Sequence, residues 1–215
     1  MRKRFYSLAT AGLLLASVAP AARAQLVDQS NYQNNGPFGY SRDWNGQTFR
    51  PSANTSAGAG FNLRNYSSAG GSGILTVELW SDVASNGGAI LLASGSTAFS
   101  LAAGQQSMTD VFWAAVSVTA GSTYFLAMNT PGTGNGILTT FSNPPSVYPD
   151  GGAWYNYNAS SNTAPYSDFG GAYDLTFEEF STSNINSTPE PASLALVATG
   201  LVGVFGAARR RRKVA

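Results

Sequence analysis

The sequence predicts an all-β fold, an antiparallel two-sheet sandwich of jelly-roll-like type between an N-terminal signal helix and a C-terminal transmembrane helix. Three observations predict it. Short β-favouring runs alternate with Gly, Ser, Asn and Pro over residues 46–180. No helical periodicity interrupts these runs before residue 192. The runs number eight to ten, which favours a jelly roll over a seven-stranded immunoglobulin-like sandwich.

Changes in composition divide the chain into five predicted parts. They are a signal peptide (1–24), a polar lead-in that is only loosely attached (25–45), the β-sandwich domain (46–181), a polar linker (182–188) and a C-terminal tail (189–215).

The early strands are predicted at residues 46–50, 60–64, 74–80, 89–93 and 98–101. In the third of these, Leu75, Val77 and Leu79 share one face because side chains alternate along a strand. Gly95 predicts a turn between the last two.

The later strands are predicted at residues 109–119, 123–129, 137–141 and 173–180. The first two are expected to form a hairpin through Ala120-Gly121. Four apolar side chains of the first are expected to point inward: Phe112, Ala114, Val116 and Val118. Residues 142–171 are dense in Pro, Gly, Asn and Tyr, which predicts a long loop.

The N-terminus has the three parts of a secretory signal peptide. A basic start, residues 1–4, precedes an apolar stretch, and Ala22 and Ala24 supply small residues two apart. Cleavage is expected between Ala24 and Gln25. The alternative, an uncleaved membrane helix, is disfavoured by the short apolar run.

The C-terminus combines two prolines, an apolar run and a basic end. Pro189, Glu190 and Pro191 precede residues 192–208, which carry no charge. As a helix this run spans about 25 Å, slightly short of a hydrocarbon core of about 30 Å but within the range of membrane helices. Five cations follow and are expected to stay in the cytoplasm, which places the preceding domain outside. They are Arg209, Arg210, Arg211, Arg212 and Lys213.

This tail resembles the PEP-CTERM sorting tail of Gram-negative, exopolysaccharide-producing bacteria. In that family the Pro-Glu-Pro tripeptide is the recognition site of a membrane-embedded processing enzyme, an exosortase. The resemblance implies that exosortase and the secretion machinery are partners, and that the tail is held transiently in the inner membrane. It further implies a final place at the cell surface or in the extracellular matrix. The alternative is an ordinary membrane anchor that happens to follow two prolines.

A second resemblance concerns the domain. Residues 46–49, 73–80, 118–124 and 174–177 are similar to the extracellular sandwich domains often paired with sorting tails. Those domains resemble jelly-roll carbohydrate-binding modules in fold.

Charge and missing residue types exclude several functions. Ten acids and three arginines between residues 25 and 188 give that part a net charge of −7, which disfavours binding to nucleic acid or anionic lipid. The chain has no cysteine and no histidine, so disulfides, catalytic triads and thiolate or imidazole metal sites are excluded.

A non-catalytic role is therefore predicted, with a membrane-anchored, carboxylate-dependent polysaccharide hydrolase as the alternative. Such a hydrolase needs only two carboxylates beside the scissile bond. No pair has a distinctive spacing among the candidates, which are Asp43, Glu78, Asp82, Asp110, Asp150, Asp168, Asp174, Glu178 and Glu179.

The segment from residue 148 to 173 predicts a saccharide site. Aromatic rings pack on the C–H faces of sugars, while amides and carboxylates bond sugar hydroxyls. The predicted stacking residues are Trp154, Tyr155, Tyr157 and Tyr166, with Asn156, Asn158 and Asp168 as hydrogen-bonding partners. The alternative is that these rings only hold the long loop against the sandwich.

No cofactor is expected, although a structural calcium ion is a hypothesis. Asp150 and Asp168 each stand beside glycines in turns that expose backbone carbonyls, and such oxygens suit a hard cation.

Overall fold

The computed structural model describes residues 25–131, 136–142, 148–157, 161–169 and 172–182. The predicted signal helix and transmembrane helix lie outside these ranges. Within the described ranges, no helix is long and apolar enough to cross a membrane. Regular structure there consists of β-strands.

The described residues form thirteen strands. They are β1 (Gln25–Asn31), β2 (Gly36–Tyr40), β3 (Trp44–Phe49), β4 (Thr55–Asn65), β5 (Gly71–Trp80), β6 (Leu91–Leu101), β7 (Gln106–Ser117), β8 (Tyr124–Asn129), β9 (Ile137–Ser142), β10 (Ala153–Asn156), β11 (Ser167–Asp168), β12 (Asp174–Leu175) and β13 (Phe177–Thr182).

The strands form two antiparallel sheets. In the first sheet, β4 is central: β7 lies along one edge, and β13 and β9 follow each other along the other. β1 extends this sheet beyond β13, while β2 and β12 pair with β9. The second sheet has the order β11-β10-β3-β8-β5-β6. The predicted all-β, two-sheet architecture is confirmed.

A shared apolar core lies between the sheets. Leu75, Val77 and Leu79 on β5 are fully buried there, which confirms the predicted alternation. Burying each such side chain contributes roughly 2 kcal/mol. The main contributions from the first sheet are Ala59, Phe61, Leu63, Val111, Leu175 and Phe177.

Polar side chains also join the two sheets inside the core. Gln47 on β3 donates from Nε2 to Asp174 Oδ1 at 3.2 Å, and its Oε1 accepts the backbone N–H of Leu175 at 2.7 Å. All three residues are buried. Buried amides need partners, and these bonds therefore fix β3 against β12.

The predicted lead-in differs from the structure, because residues 25–45 form β1, β2 and the start of β3. β1 carries few buried apolar side chains, so hydrophobic alternation does not reveal it. Its last residue, Asn31, instead donates from Nδ2 to the Leu175 carbonyl at 3.0 Å and to Ser142 Oγ at 3.2 Å. Side-chain amide bonds thus attach this strand to the sheet.

The two strands predicted at 89–93 and 98–101 are a single strand, β6. Gly95 makes no turn there. A Cβ at this position would lie 2.8 Å from the Phe112 carbonyl oxygen, so the glycine lets β6 pass close to β7. The long predicted loop likewise contains two short strands, β10 and β11.

Two predictions for β7 are wrong. Strand β7 pairs with β4, whereas β8 pairs with β3 and β5 in the other sheet, so the two do not form a hairpin. Val111 points into the core, and Phe112 and Ala114 face outward. Val116 packs partly buried against the core, and Val118, beyond the strand, is buried, so the prediction holds for these two residues.

Glu179 on β13 is an acid inside the sandwich. It is 0% exposed, and neither carboxylate oxygen has a hydrogen-bond partner among the described residues. Burial raises the pKa of Glu179 to about 8, and the charge of Asp28 adds to this effect. The carboxyl is therefore largely protonated at neutral pH.

Candidate functional site

The residues predicted to bind saccharide lie on and around β10, and they point to both faces of the second sheet. Trp154 packs on the outer face, with its ring centroid 6.4 Å from that of Phe125. Tyr155 points to the other face, where its ring meets Phe38 at 6.1 Å. The alternation of β10 separates these two predicted stacking residues.

Tyr155 is buried and tied to an acid. Its hydroxyl donates to Asp43 Oδ2 at 2.5 Å. Burial raises the pKa of Tyr155, as does the hydrogen bond to Asp43. The phenol is thus held as a donor, and its ring is not available as a stacking surface.

Tyr166 and Asn156 also have internal contacts. The Tyr166 ring meets that of Phe125 edge-on at 5.0 Å, and burial raises the pKa of Tyr166. Asn156 Nδ2 donates to the carbonyls of Ser161 at 2.8 Å and Ala164 at 3.1 Å. Both side chains therefore hold the loop between β10 and β11 on the sheet.

These contacts form a small second core, here called the outer cluster. It comprises Trp44, Trp80, Val83, Ala84, Phe125, Ala127, Trp154 and Tyr166. A Cβ on Gly46 would lie only 2.0 Å from Phe125 Cζ. Glycine at this position therefore leaves room for the Phe125 ring at the centre of the cluster. The cluster supports the alternative in which these aromatic residues pack the loop.

Two predicted saccharide-binding residues remain at the surface. The Tyr157 side chain is 75% exposed, and its ring stands 4.3 Å from that of Tyr155. Asp168, opposite Trp154 in β11, is exposed at the sheet edge. Asn158 lies outside the described residues. The predicted group thus offers one widely exposed ring and no continuous aromatic surface.

Asp150, one of the two acids considered for calcium, lies beside an arginine. Asp150 Oδ1 lies 3.7 Å from Arg50 Nη1, and both side chains are about half exposed. Within the described residues, no three Asp or Glu side chains converge as a metal site would require. The calcium hypothesis stays a prediction.

A cavity of about 240 Å³ opens beside β2 and β9. Its walls are Pro37 and four aromatic rings, and neighbouring ring centroids stand 5.0 to 5.9 Å apart. The rings are those of Phe38, Phe141, Phe169 and Tyr173. The described lining carries no charge, which favours an uncharged or apolar group.

Two carboxylates that the sequence does not connect meet on the outer face of the first sheet. Asp110 on β7 and Glu178 on β13 both stand opposite Gly60 on β4. A Cβ on Gly60 would lie 2.3 Å from Asp110 Oδ1 and 3.2 Å from Glu178 Cγ, so the two side chains lean over the glycine. We call Asp110 and Glu178 the acidic pair.

Tyr32 is hydrogen-bonded to one member of the acidic pair. The Tyr32 hydroxyl donates to Glu178 Oε2 at 2.7 Å. Burial raises the pKa of Glu178; the bond from Tyr32 lowers it, and the hydrogen bond and charge of Asp110 raise it again. Glu178 is 8% exposed. No spacing in the sequence connects these two residues. The pair is revealed only by the cross-strand register of the folded sheet.

The described part of the chain is therefore an all-β domain of two packed antiparallel sheets with an acidic, partly aromatic surface. Residues 187–212 match the PEP-CTERM protein-sorting motif. This confirms the tail resemblance, although the motif residues Pro189, Glu190 and Pro191 and the basic residues 209–213 lie outside the described ranges. No curated protein matches the chain.

The sorting motif implies export of the chain and anchoring in the membrane through its C-terminal tail, as in Gram-negative bacteria. It also implies processing by exosortase, a membrane enzyme. Ala22 and Ala24, at the predicted leader cleavage site, lie outside the described ranges. Gln25 is the first residue of β1 and pairs with Thr182.

Proposed function

We propose that this protein is a non-catalytic component of the cell surface or extracellular matrix. The sorting motif at residues 187–212 carries the proposal. The signal peptide directs export, exosortase processes the tail, and the sandwich is displayed or released outside the inner membrane. The sandwich itself needs no cofactor for this role.

The sorting part is tested in a Gram-negative host with and without its exosortase. Replacing Pro189, Glu190 and Pro191 by alanine is expected to leave the protein in the membrane fraction at its unprocessed mass. The unchanged chain should reach the surface or medium only when exosortase is present. Equal processing of both chains would overturn the proposal.

The displayed sandwich is proposed to bind exopolysaccharide and to contribute to a biofilm matrix. Its individually exposed aromatic rings and the resemblance to jelly-roll carbohydrate-binding modules support this role. The jelly-roll relationship is part of the proposal. Retention of the protein on immobilised polysaccharide tests it, and absence of retention on every polysaccharide tried would remove this role while leaving the sorting role intact.

A polysaccharide hydrolase is the second candidate, because the acidic pair brings two carboxylates together. In glycosidases, however, the carboxyl groups stand about 5–5.5 Å or 6.5–9.5 Å apart, with the sugar or a water between them. Asp110 and Glu178 interact directly, and Glu178 is nearly buried. Release of reducing sugar by the wild type, abolished in Glu178→Gln, would promote this candidate over the first.

A further inference from the structure

The outer face of the first sheet carries an apolar row across four strands. The register places Val27 of β1 beside Phe180 of β13, which is paired with Gly58 of β4 and then Phe112 of β7. The Phe112 and Phe180 ring centroids are 5.0 Å apart. Because adjacent strands stand about 4.8 Å apart, β13, β4 and β7 span roughly 10 Å of surface.

Phe112 lies on the glycine beneath it. A Cβ at Gly58 would come within 2.6 Å of Phe112 Cδ1 and 3.2 Å of Cε1, so only glycine leaves room for the ring. The Phe112 side chain is nevertheless 50% exposed. One side of the ring thus rests on the backbone and on Phe180, and the rest faces solvent.

The neighbouring row, two residues along β4, β7 and β13 and three along the bulged strand β1, is polar. It consists of Ser30, Glu178, Gly60 and Asp110, and Tyr32 reaches it through its bond to Glu178. Asp110 Oδ1 is buried and has no hydrogen-bond partner among the described residues. Asp110 as a residue is only partly buried, so its side chain also reaches the surface of this face.

We propose that this face, with Phe112 as the stacking ring and the acidic pair and Tyr32 as hydrogen-bonding groups, binds a neutral polysaccharide. The inference rests on the proposed polysaccharide-binding function and names its site. Sugar C–H faces pack on an exposed ring, while carboxylates accept bonds from sugar hydroxyls. A polyuronate is disfavoured, because its carboxylates would meet the acidic pair on a domain of net charge −7.

The test uses the full chain in detergent and affinity electrophoresis through gels containing galactomannan, xyloglucan or amylopectin, with alginate as the acidic comparison. The wild type is expected to be retarded in at least one neutral gel and not in alginate. Phe112→Leu keeps the apolar cover but removes the ring, and should weaken retention about tenfold. Phe112→Trp should retain at least half of the wild-type affinity.

Tyr157→Ala is the matched control, since it removes the most exposed ring of the group predicted around β10. Its retention should equal that of the wild type, and melting curves should show that all variants are folded. If Phe112→Leu is retarded as strongly as the wild type, or Tyr157→Ala alone loses retention, polysaccharide binding stands and this site is overturned. Stronger retardation in the alginate gel than in the neutral gels overturns the assignment of the ligand to the neutral polysaccharides. A wild type that no gel retards overturns both the proposed binding function and this site.

Discussion

The pH dependence of stability should reveal the buried acid Glu179. In the folded chain its pKa is raised from 4.5 to about 8. Between these two pH values the folded state holds a proton that the unfolded state has lost. The contribution of Glu179 to stability is therefore fully present below about pH 4.5, and it is lost as the pH rises towards 8.

The size of this effect follows from the shift. One pKa unit corresponds to about 1.4 kcal/mol, so the difference between pH 4.5 and pH 7 is on the order of 3 kcal/mol. Glu179→Gln keeps the shape of the side chain and is neutral at every pH. Between pH 4.5 and pH 7, the free energy of unfolding of this variant should therefore rise by about 3 kcal/mol relative to that of the wild type.

Urea unfolding followed by tryptophan fluorescence measures the difference, because all four tryptophans lie between residues 44 and 154. With a typical dependence of the unfolding free energy on urea, the urea midpoint of Glu179→Gln minus that of the wild type should increase by roughly 1 to 2 M from pH 4.5 to pH 7. Asp150→Asn, which changes a half-exposed acid, is the control and should follow the wild type. Parallel pH profiles for the wild type and Glu179→Gln would refute the reasoning.

Three further measurements test the packing of the domain, and a fourth tests the calcium hypothesis. Gly46→Ala places a Cβ 2.0 Å from Phe125 Cζ, and denaturant unfolding should show a loss of about 1–3 kcal/mol. Tyr155→Phe removes the donor to the buried Asp43 and should lower stability by about 1.5–3 kcal/mol in the same assay. Deleting residues 25–31 leaves β13 unpaired along one edge and should lower the unfolding midpoint, whereas a loosely attached lead-in would predict no change. EDTA would lower the melting temperature if calcium were bound, and an unchanged value would eliminate that hypothesis.

The strands that the sequence predicts well are those with one apolar face. In β5, Leu75, Val77 and Leu79 alternate with more polar residues, so only one orientation buries apolar side chains. Strand β7 has no such asymmetry: Phe112 and Ala114 lie on one face, and Val111 and Trp113 on the other. Both orientations satisfy the pattern. The choice depends on Gly58 of a different strand, which gives the Phe112 ring a place on the outer face.

The candidate surface could not be predicted for a related reason. Asp110 and Glu178 are distant in sequence, and no spacing connects them. They meet because β7 and β13 both pair with β4 in a register that places Gly60 between them. The rings around β10, by contrast, are close in sequence, yet strand alternation separates Trp154 from Tyr155. Proximity along the chain therefore does not decide which of these side chains meet in the folded domain.

The ends of the domain connect the fold to its export. Gln25, which follows the predicted cleavage site, pairs with Thr182, the last described residue before the tail. The chain thus enters and leaves the first sheet at the same end of two neighbouring strands. β1 also covers one edge of β13, the strand that holds Glu179. The predicted leader cleavage site therefore directly precedes a strand that completes the first sheet.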